Sequence, residues 1–233
     1  MVTIDTHVGL ADTGPDARAR LDAIARIVQD VADADASSAP IDMGVWILRR
    51  MEMRITTTPR FRADVRASTW CSGVGARWAE RTSQLHVGER LCVESVAIWV
   101  HTDLQRGAPS PLPDGFDSVW GVSATGRTVS ARLRHDAPPA GVSRRPWPLR
   151  ATDVDVVDHV NNAAYWAAIE DELARRGRPR VTHAEIEFRA GLELSDPVEL
   201  LVADRDDGFA AWLCVHGDVR ASMLIGCEPC RTT

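Results

Sequence analysis

The sequence predicts an α+β fold of two tandem units, each a helix followed by antiparallel strands. Three observations carry this. Residues 16–35 hold a single apolar stripe at helical spacing, and runs with strand alternation follow it. The same order, helix then strands, returns after residue 160. Between the two, roughly residues 105–145, lies a connector rich in Pro, Gly and Ser. Each helix has one apolar side to bury, and an antiparallel sheet curled around it does so. The expected division is residues 1–135 and 136–233, with the two sheets side by side.

In the first unit, Leu21, Ile24, Val28 and Val31 recur at spacings of three and four, which makes 16–35 an amphipathic helix. In "VWILRRMEMRI" (45–55), alternation places Val45, Ile47, Met51, Met53 and Ile55 on one face and Arg50, Glu52 and Arg54 on the other. The runs "DVRASTWCS", "ARWAERTSQLHVG" and "ERLCVESVAIWVHTD" complete about four strands, the last two joined at Gly88. Short pieces of structure are expected in the connector around Val119–Val122 and Val129–Leu133. In the second unit, "NNAAYWAAIEDELARRG" (161–177) reads as a helix. Asn161 or Asn162 caps its start, Arg175 and Arg176 suit its C-terminal dipole, and Gly177 ends it. The runs "VTHAEIEFRAGLEL", "PVELLVADR", "GFAAWLCVHG" and "VRASMLIGC" follow as strands.

Composition narrows the function. At 45 % hydrophobic and 26 % charged residues the chain buries a core, and a formal charge of −6 argues against coating nucleic acid through its phosphates. All 27 basic residues are Arg, so no Lys serves as base, Schiff-base former or phosphate ligand. No apolar run reaches membrane-span length, and the N-terminus lacks a signal-peptide pattern. The five Cys, at 71, 92, 214, 227 and 230, have no framework spacing, so reduced thiols in the cytoplasm are expected. Cys227 and Cys230 form one C-x-x-C with no second pair to complete a zinc ribbon. His7, His86, His101, His135, His183 and His216 have no neighbours at metal-ligand spacing, so no metal or other cofactor is expected.

The stretch "TDVDVVDHVNNAAYW" (152–166) carries the chemistry. Asp153, Asp155 and Asp158 precede a helix whose N-terminal N–H groups favour negative charge. One reading is a well-capped helix. The other uses the same physics for catalysis: the helix N-terminus stabilises an oxyanion, a carboxylate deprotonates or directs water, and a nearby His relays a proton. In an extended segment Asp153, Asp155 and Val157 face one way, and Asp155 and His159 converge on one water.

"DVDVVDHVNNAAYW" resembles the D-x-D-x-N-x-H-V-N-N-x-x-Y signature of acyl-ACP thioesterases, a double-hotdog family. "LDAIARIVQDVADADA", "WILRRMEMRITTTPRFRADVRASTW" and "SVAIWVHTDLQRGAPSPLP" resemble that family's N-terminal helix, first strand pair and exit strand, in the right order. The resemblance implies a double hotdog that hydrolyses fatty acyl thioesters. It gives the catalytic roles to Asp155 and His159, with the second helix's N-terminus, around Asn161 and Asn162, polarising the carbonyl. It implies an acyl tunnel between helix and sheet, and acyl carrier protein or coenzyme A as the bearer of the acyl group. Val157 stands where the family has Asn, and Gly191 where it has a downstream Glu. Glu193, two residues on and on the same face of a regular strand, is the candidate substitute. The basic run "RRGRPRVTH" (175–183) is either a solvated helix end or a surface for the acidic carrier. These departures leave two alternatives: a non-catalytic acyl-thioester or fatty-acid binder, and a hotdog 3-hydroxyacyl dehydratase. A monomer or a homodimer is expected.

Overall fold

A computed structural model of the chain describes residues 1–42, 44–103 and 105–228. Eleven strands and two long helices dominate it. The strands are β1 (Val2–His7), β2 (Val45–Ile55), β3 (Asp64–Val74), β4 (Trp78–Val87), β5 (Arg90–Asp103), β6 (Ala108–Pro109), β7 (Ser143–Pro146), β8 (Val181–Phe188), β9 (Val198–Arg205), β10 (Gly208–Val215) and β11 (Asp218–Cys227). The long helices are α1 (Leu21–Ser37) and α3 (Tyr165–Arg175), with a single turn, α2 (Val122–Ala124), between them.

All eleven strands form one sheet in the order β1-β3-β4-β5-β2-β8-β11-β10-β9-β7, with β6 pairing only the end of β5. Neighbouring pairs are antiparallel, and β2 against β8 is the seam between the first half of the chain and the second. The sheet curls around α1 and α3, the arrangement expected of a double hotdog. One core spans both halves: Leu21, Ile24 and Val28 of α1 and Trp166, Ile169 and Leu173 of α3 pack with Met51, Met53, Ile186 and Met223 of the sheet.

Several elements depart from simple alternation. β1, whose residues alternate "VTIDTH", adds an edge to β3 that sequence patterning left unassigned. A bulge between Leu48 and Arg50 shifts the parity of β2. Leu48 is therefore buried with Met51 and Met53, while Ile47 is 52 % exposed rather than on the core face. β7 arises inside the stretch read as connector, and β8 ends at Phe188 rather than running on to Leu194.

The rest of the connector is a strap across the outer face of the sheet, without strand hydrogen bonds of its own over 130–140. Side chains and backbone hold it instead. The Trp78 indole donates to the Val129 carbonyl at 2.9 Å and the Trp212 indole to the Asp136 carbonyl at 3.0 Å. Arg50 and Arg189 donate to the carbonyls of Arg132 and His135. These bonds satisfy backbone groups that an extended strap would otherwise bury unpaired. The described cysteines 71, 92, 214 and 227 are free thiols, and Cys230 lies outside the described residues. No helix among the described residues is long and apolar enough to cross a membrane.

Candidate active site

The segment before α3 is a tight hairpin rather than an extended strand. Val154 and Val160 bridge across it. The Asp155 N–H donates to the His159 carbonyl at 2.9 Å, the Asp158 N–H to the Asp155 carbonyl at 3.0 Å, and the Asn161 N–H to the Asp153 carbonyl at 2.8 Å. Asp158 takes φ +59°, a left-handed conformation that Asp tolerates better than most residues and that reverses the chain here. The tip points to solvent: Val156 is 100 % exposed and Val157 66 %.

The three aspartates have different roles. Asp153 is buried and accepts from the Arg150 backbone N–H and from its guanidinium, both at 2.8 Å, which caps the turn Ala151–Asp153. Asp158 supplies the reversal. Asp155 is half-buried, and both of its oxygens are engaged. Oδ1 accepts from the Val157 N–H at 3.1 Å and Oδ2 from the Asn161 side-chain amide at 3.0 Å. Asn161 is in turn fixed, its Oδ1 accepting from the Ala163 N–H at 2.8 Å. Asn161 thus caps the tight turn that leads into α3, while the first helical residue is Tyr165. The sequence expectation of Asn161 or Asn162 as the helix N-cap is corrected: α3 starts at Tyr165, its N-cap is Ala164, which makes no side-chain capping bond, and Asn161 holds the turn before it.

His159 is exposed, and it meets Asp155 through its own carbonyl. No hydrogen bond or ion pair joins the His159 ring to the Asp155 carboxylate, so the structure brings Asp155 and Asn161 together and leaves the His159 ring free to turn. Asn162 is half-buried.

A second loop reaches the same helix end. The buried Leu192 N–H donates to the Tyr165 hydroxyl at 3.0 Å, and the Tyr165 ring sits edge-on to Phe188 with centroids 5.0 Å apart. Burial pushes the Tyr165 hydroxyl up to about 12, so it stays neutral and serves as a polar latch. This latch had no signal in sequence spacing, because Leu192 and Tyr165 are far apart in the chain. Gly191, beside Leu192, is exposed, and a Cβ added there would meet nothing within 4 Å. Glu193 is exposed and sits in a turn, not on a strand: its N–H donates to Asp196 Oδ2 at 2.8 Å. The regular-strand reasoning that placed Glu193 on one face with Gly191 therefore does not apply. The backbone leaves the β8 ladder at Arg189, whose N–H turns to the Arg220 carbonyl.

The basic run at the other end of α3 is mostly paired. Arg175 binds Asp171, Arg176 binds Glu172 and Asp204, and Arg180 binds Glu228. Arg178, at φ +59°, lies against Gly14 in a shallow cleft between the α1 N-terminus and the α3 C-terminus, lined also by Arg18 and Arg20. Of the tryptophans, Trp166 belongs to the core and Trp99 packs against it, while Trp46 stacks with Phe116 in a smaller cluster under the connector.

Comparison with known proteins gives the family and the fold. Residues 4–119 match the model of the acyl-ACP thioesterase N-terminal domain, and residues 138–216 match that of the acyl-ACP thioesterase C-terminal domain. The chain is 27 % identical over 212 residues to the uncharacterized protein Rv2001 of Mycobacterium tuberculosis, covering 88 % of this chain and 84 % of that one. The 12:0-ACP thioesterase from Umbellularia californica has a similar structure, with TM-score 0.83 at 15 % identity, covering 98 % of this chain and 97 % of that one. An acyl-ACP thioesterase from Bacteroides thetaiotaomicron gives TM-score 0.81 at 15 % identity, covering 97 % of each chain. At such identities these likenesses establish the fold.

Proposed function

The chain belongs to the acyl-ACP thioesterase family, and from that premise we propose that it hydrolyses fatty acyl thioesters of acyl carrier protein or coenzyme A to free fatty acid and thiol. Thioester hydrolysis in general follows from the family. The residues and the acyl donor are the proposal.

The observation that carries it is the clamped carboxylate of Asp155 at the foot of α3. A carboxylate oxygen that accepts one hydrogen bond keeps lone-pair capacity for another. Asp155 therefore takes a proton from water, or aims it, while its rotamer stays fixed by Asn161 and the Val157 N–H. The water oxygen adds to the thioester carbonyl. The resulting oxyanion faces the first turn of α3, whose N–H groups carry partial positive charge. Collapse breaks the C–S bond, and the departing sulfur takes the proton, which in this proposal His159 relays after its exposed ring turns toward Asp155. One water is consumed, and one acid and one thiol are released. Glu193, on its exposed turn, is the third group of this proposal. Cytoplasmic location and a division of the chain at 135/136 belong to the same proposal.

A non-catalytic acyl binder is the second reading, favoured by the solvent-facing Val157 and the side-chain-free Gly191. Thiol release from a panel of acyl-ACP and acyl-CoA substrates, wild type beside Asp155→Ala, separates the two. Hydrolysis predicts release that falls by about 10²–10⁴-fold in Asp155→Ala, with binding retained. Acyl thioesters that bind without release above background, from either protein, would sink the enzyme reading. Conversion of 3-hydroxyacyl thioesters without thiol release would point to a dehydratase.

A further inference from the structure

Away from that site, the outer face of the sheet at the β2–β8 seam gathers charged side chains that hydrolysis does not use. Arg50, Glu52 and Arg54 stand opposite Glu187, Glu185 and His183. Glu52 and Glu185 are thus like charges directly across a ladder, which costs stability unless positive charge lies close. The connector lays His135 over this face. Its side chain is 3 % exposed and that of Glu187 0 %.

The bonding of His135 fixes its chemistry. Nδ1 lies 3.2 Å from the Ser222 carbonyl oxygen and 3.0 Å from the Ser222 hydroxyl. In a neutral ring that donates to this carbonyl, which can only accept, the proton is on Nδ1 and the lone pair on Nε2. Nε2 is buried, makes no hydrogen bond, and faces Glu185 Oε2 at 3.6 Å. A lone pair and a carboxylate oxygen facing each other out of water call for a positive charge shared between them. The separation is too long for an N–H···O bond. It suits two ligands of one metal ion, which stand roughly 3.3–3.6 Å apart when each is about 2.0–2.2 Å from a tetrahedral zinc.

We propose that His135, Glu185 and Glu187 bind one divalent transition-metal cation, Zn²⁺ by its donor set, which clamps the connector to the seam between the two halves. Donor atoms of the three lie within 4.8 Å of one another. Glu187 accepts from the Arg134 and His135 backbone N–H groups at 2.6 and 3.0 Å, which holds its carboxylate still and leaves lone pairs for a metal. Ser222 does for His135 what hydrogen-bonded partners do for metal-binding imidazoles: it sets the tautomer and the ring orientation. Of the positive groups nearby, Arg50 pairs with the other oxygen of Glu185, and two more are directed to backbone carbonyls. Arg50 Nε is 3.6 Å from the other oxygen of Glu185, and Arg49 and Arg189 donate to the carbonyls of Phe188 and His135. Glu52 and His183, which also have donor atoms within 4.8 Å of Glu185, are partly exposed and offer a route in from solvent.

The test uses the full chain with Cys227→Ser and Cys230→Ser, so that the C-terminal thiols take no metal. After chelator treatment it is titrated with Co²⁺ and then Zn²⁺, beside the same chain carrying Glu185→Gln. The site predicts visible Co²⁺ absorption saturating at about one equivalent. It also predicts a Tm rise of roughly 5–10 °C with free Zn²⁺ at a hundredfold excess over Kd. Both are lost in Glu185→Gln, or in His135→Gln should the first variant not fold. Three results would overturn it: no Co²⁺ bands, bands that persist in both variants, or an Nε2-protonated His135 seen by NMR with Zn²⁺ present. None of these readouts depends on thioesterase activity.

Discussion

Asp155 and Asn161 share one hydrogen bond, and that bond is the center of the candidate site. It lets a carboxylate sit half-buried at a helix end without wandering between rotamers. The resemblance implies an Asn and a Glu at the positions of Val157 and Gly191, and the structure leaves room for both: Val157 faces solvent and a Cβ at Gly191 meets nothing within 4 Å. Val157→Asn together with Gly191→Glu should therefore fold as wild type. If hydrolysis is limited by those groups, thiol release should rise, by up to about 10²-fold. Unchanged release in a folded double variant would mean that Asp155 works without them. The motif that holds Asp155, His159 and Asn161 was legible from the sequence, since the three stand close together in the chain. Their geometry was not, because the hairpin turns on the left-handed backbone of Asp158.

Among the elements, α1 shows how a helix start is held when its cap residue makes no side-chain capping bond. Arg20 occupies the N-cap without a side-chain bond there, and the Leu21 N–H donates instead to Glu170 of α3 at 2.7 Å. Asp22 in the first turn completes the arrangement. Burial alone would raise its carboxyl, but hydrogen bonds from Arg20 and Arg26 outweigh it and hold the group below its ordinary 3.8. A depressed folded-state value stabilises above the unfolded value, and that contribution is lost as pH falls through the folded one. Asp22→Asn should therefore cost about 2 kcal/mol at neutral pH. It should also flatten the acid limb of stability below about pH 4, read by denaturant titration across pH. An acid limb identical to wild type would remove Asp22 from this role. The helices and most strands were legible because their periodicity is local. The bulge in β2 and the early end of β8 were not, since each is set by a neighbouring strand's register.

The whole molecule behaves as one body because the β2–β8 seam continues the sheet and one core reaches from α1 to α3. Cutting it leaves β2 or β8 as a bare edge and halves the cover on the helices. Residues 1–135 or 136–233 expressed alone should therefore aggregate or lack cooperative unfolding, while the intact chain unfolds in one transition by circular dichroism and fluorescence. A soluble, cooperatively folding half would show that the seam is not needed.

The sequence by itself determined the two helix-plus-strand units, the connector between them, the family and the motif at the foot of the second helix. All of these are written in spacings short enough to be read along the chain. Only the tertiary structure decided that Tyr165 latches the Gly191 loop, that the connector lies across the sheet, and that His135 meets Glu185 and Glu187. Those contacts join residues tens of positions apart, and no local period encodes them. They exist because a curled antiparallel sheet brings distant strands to one register and buries the chain that crosses it.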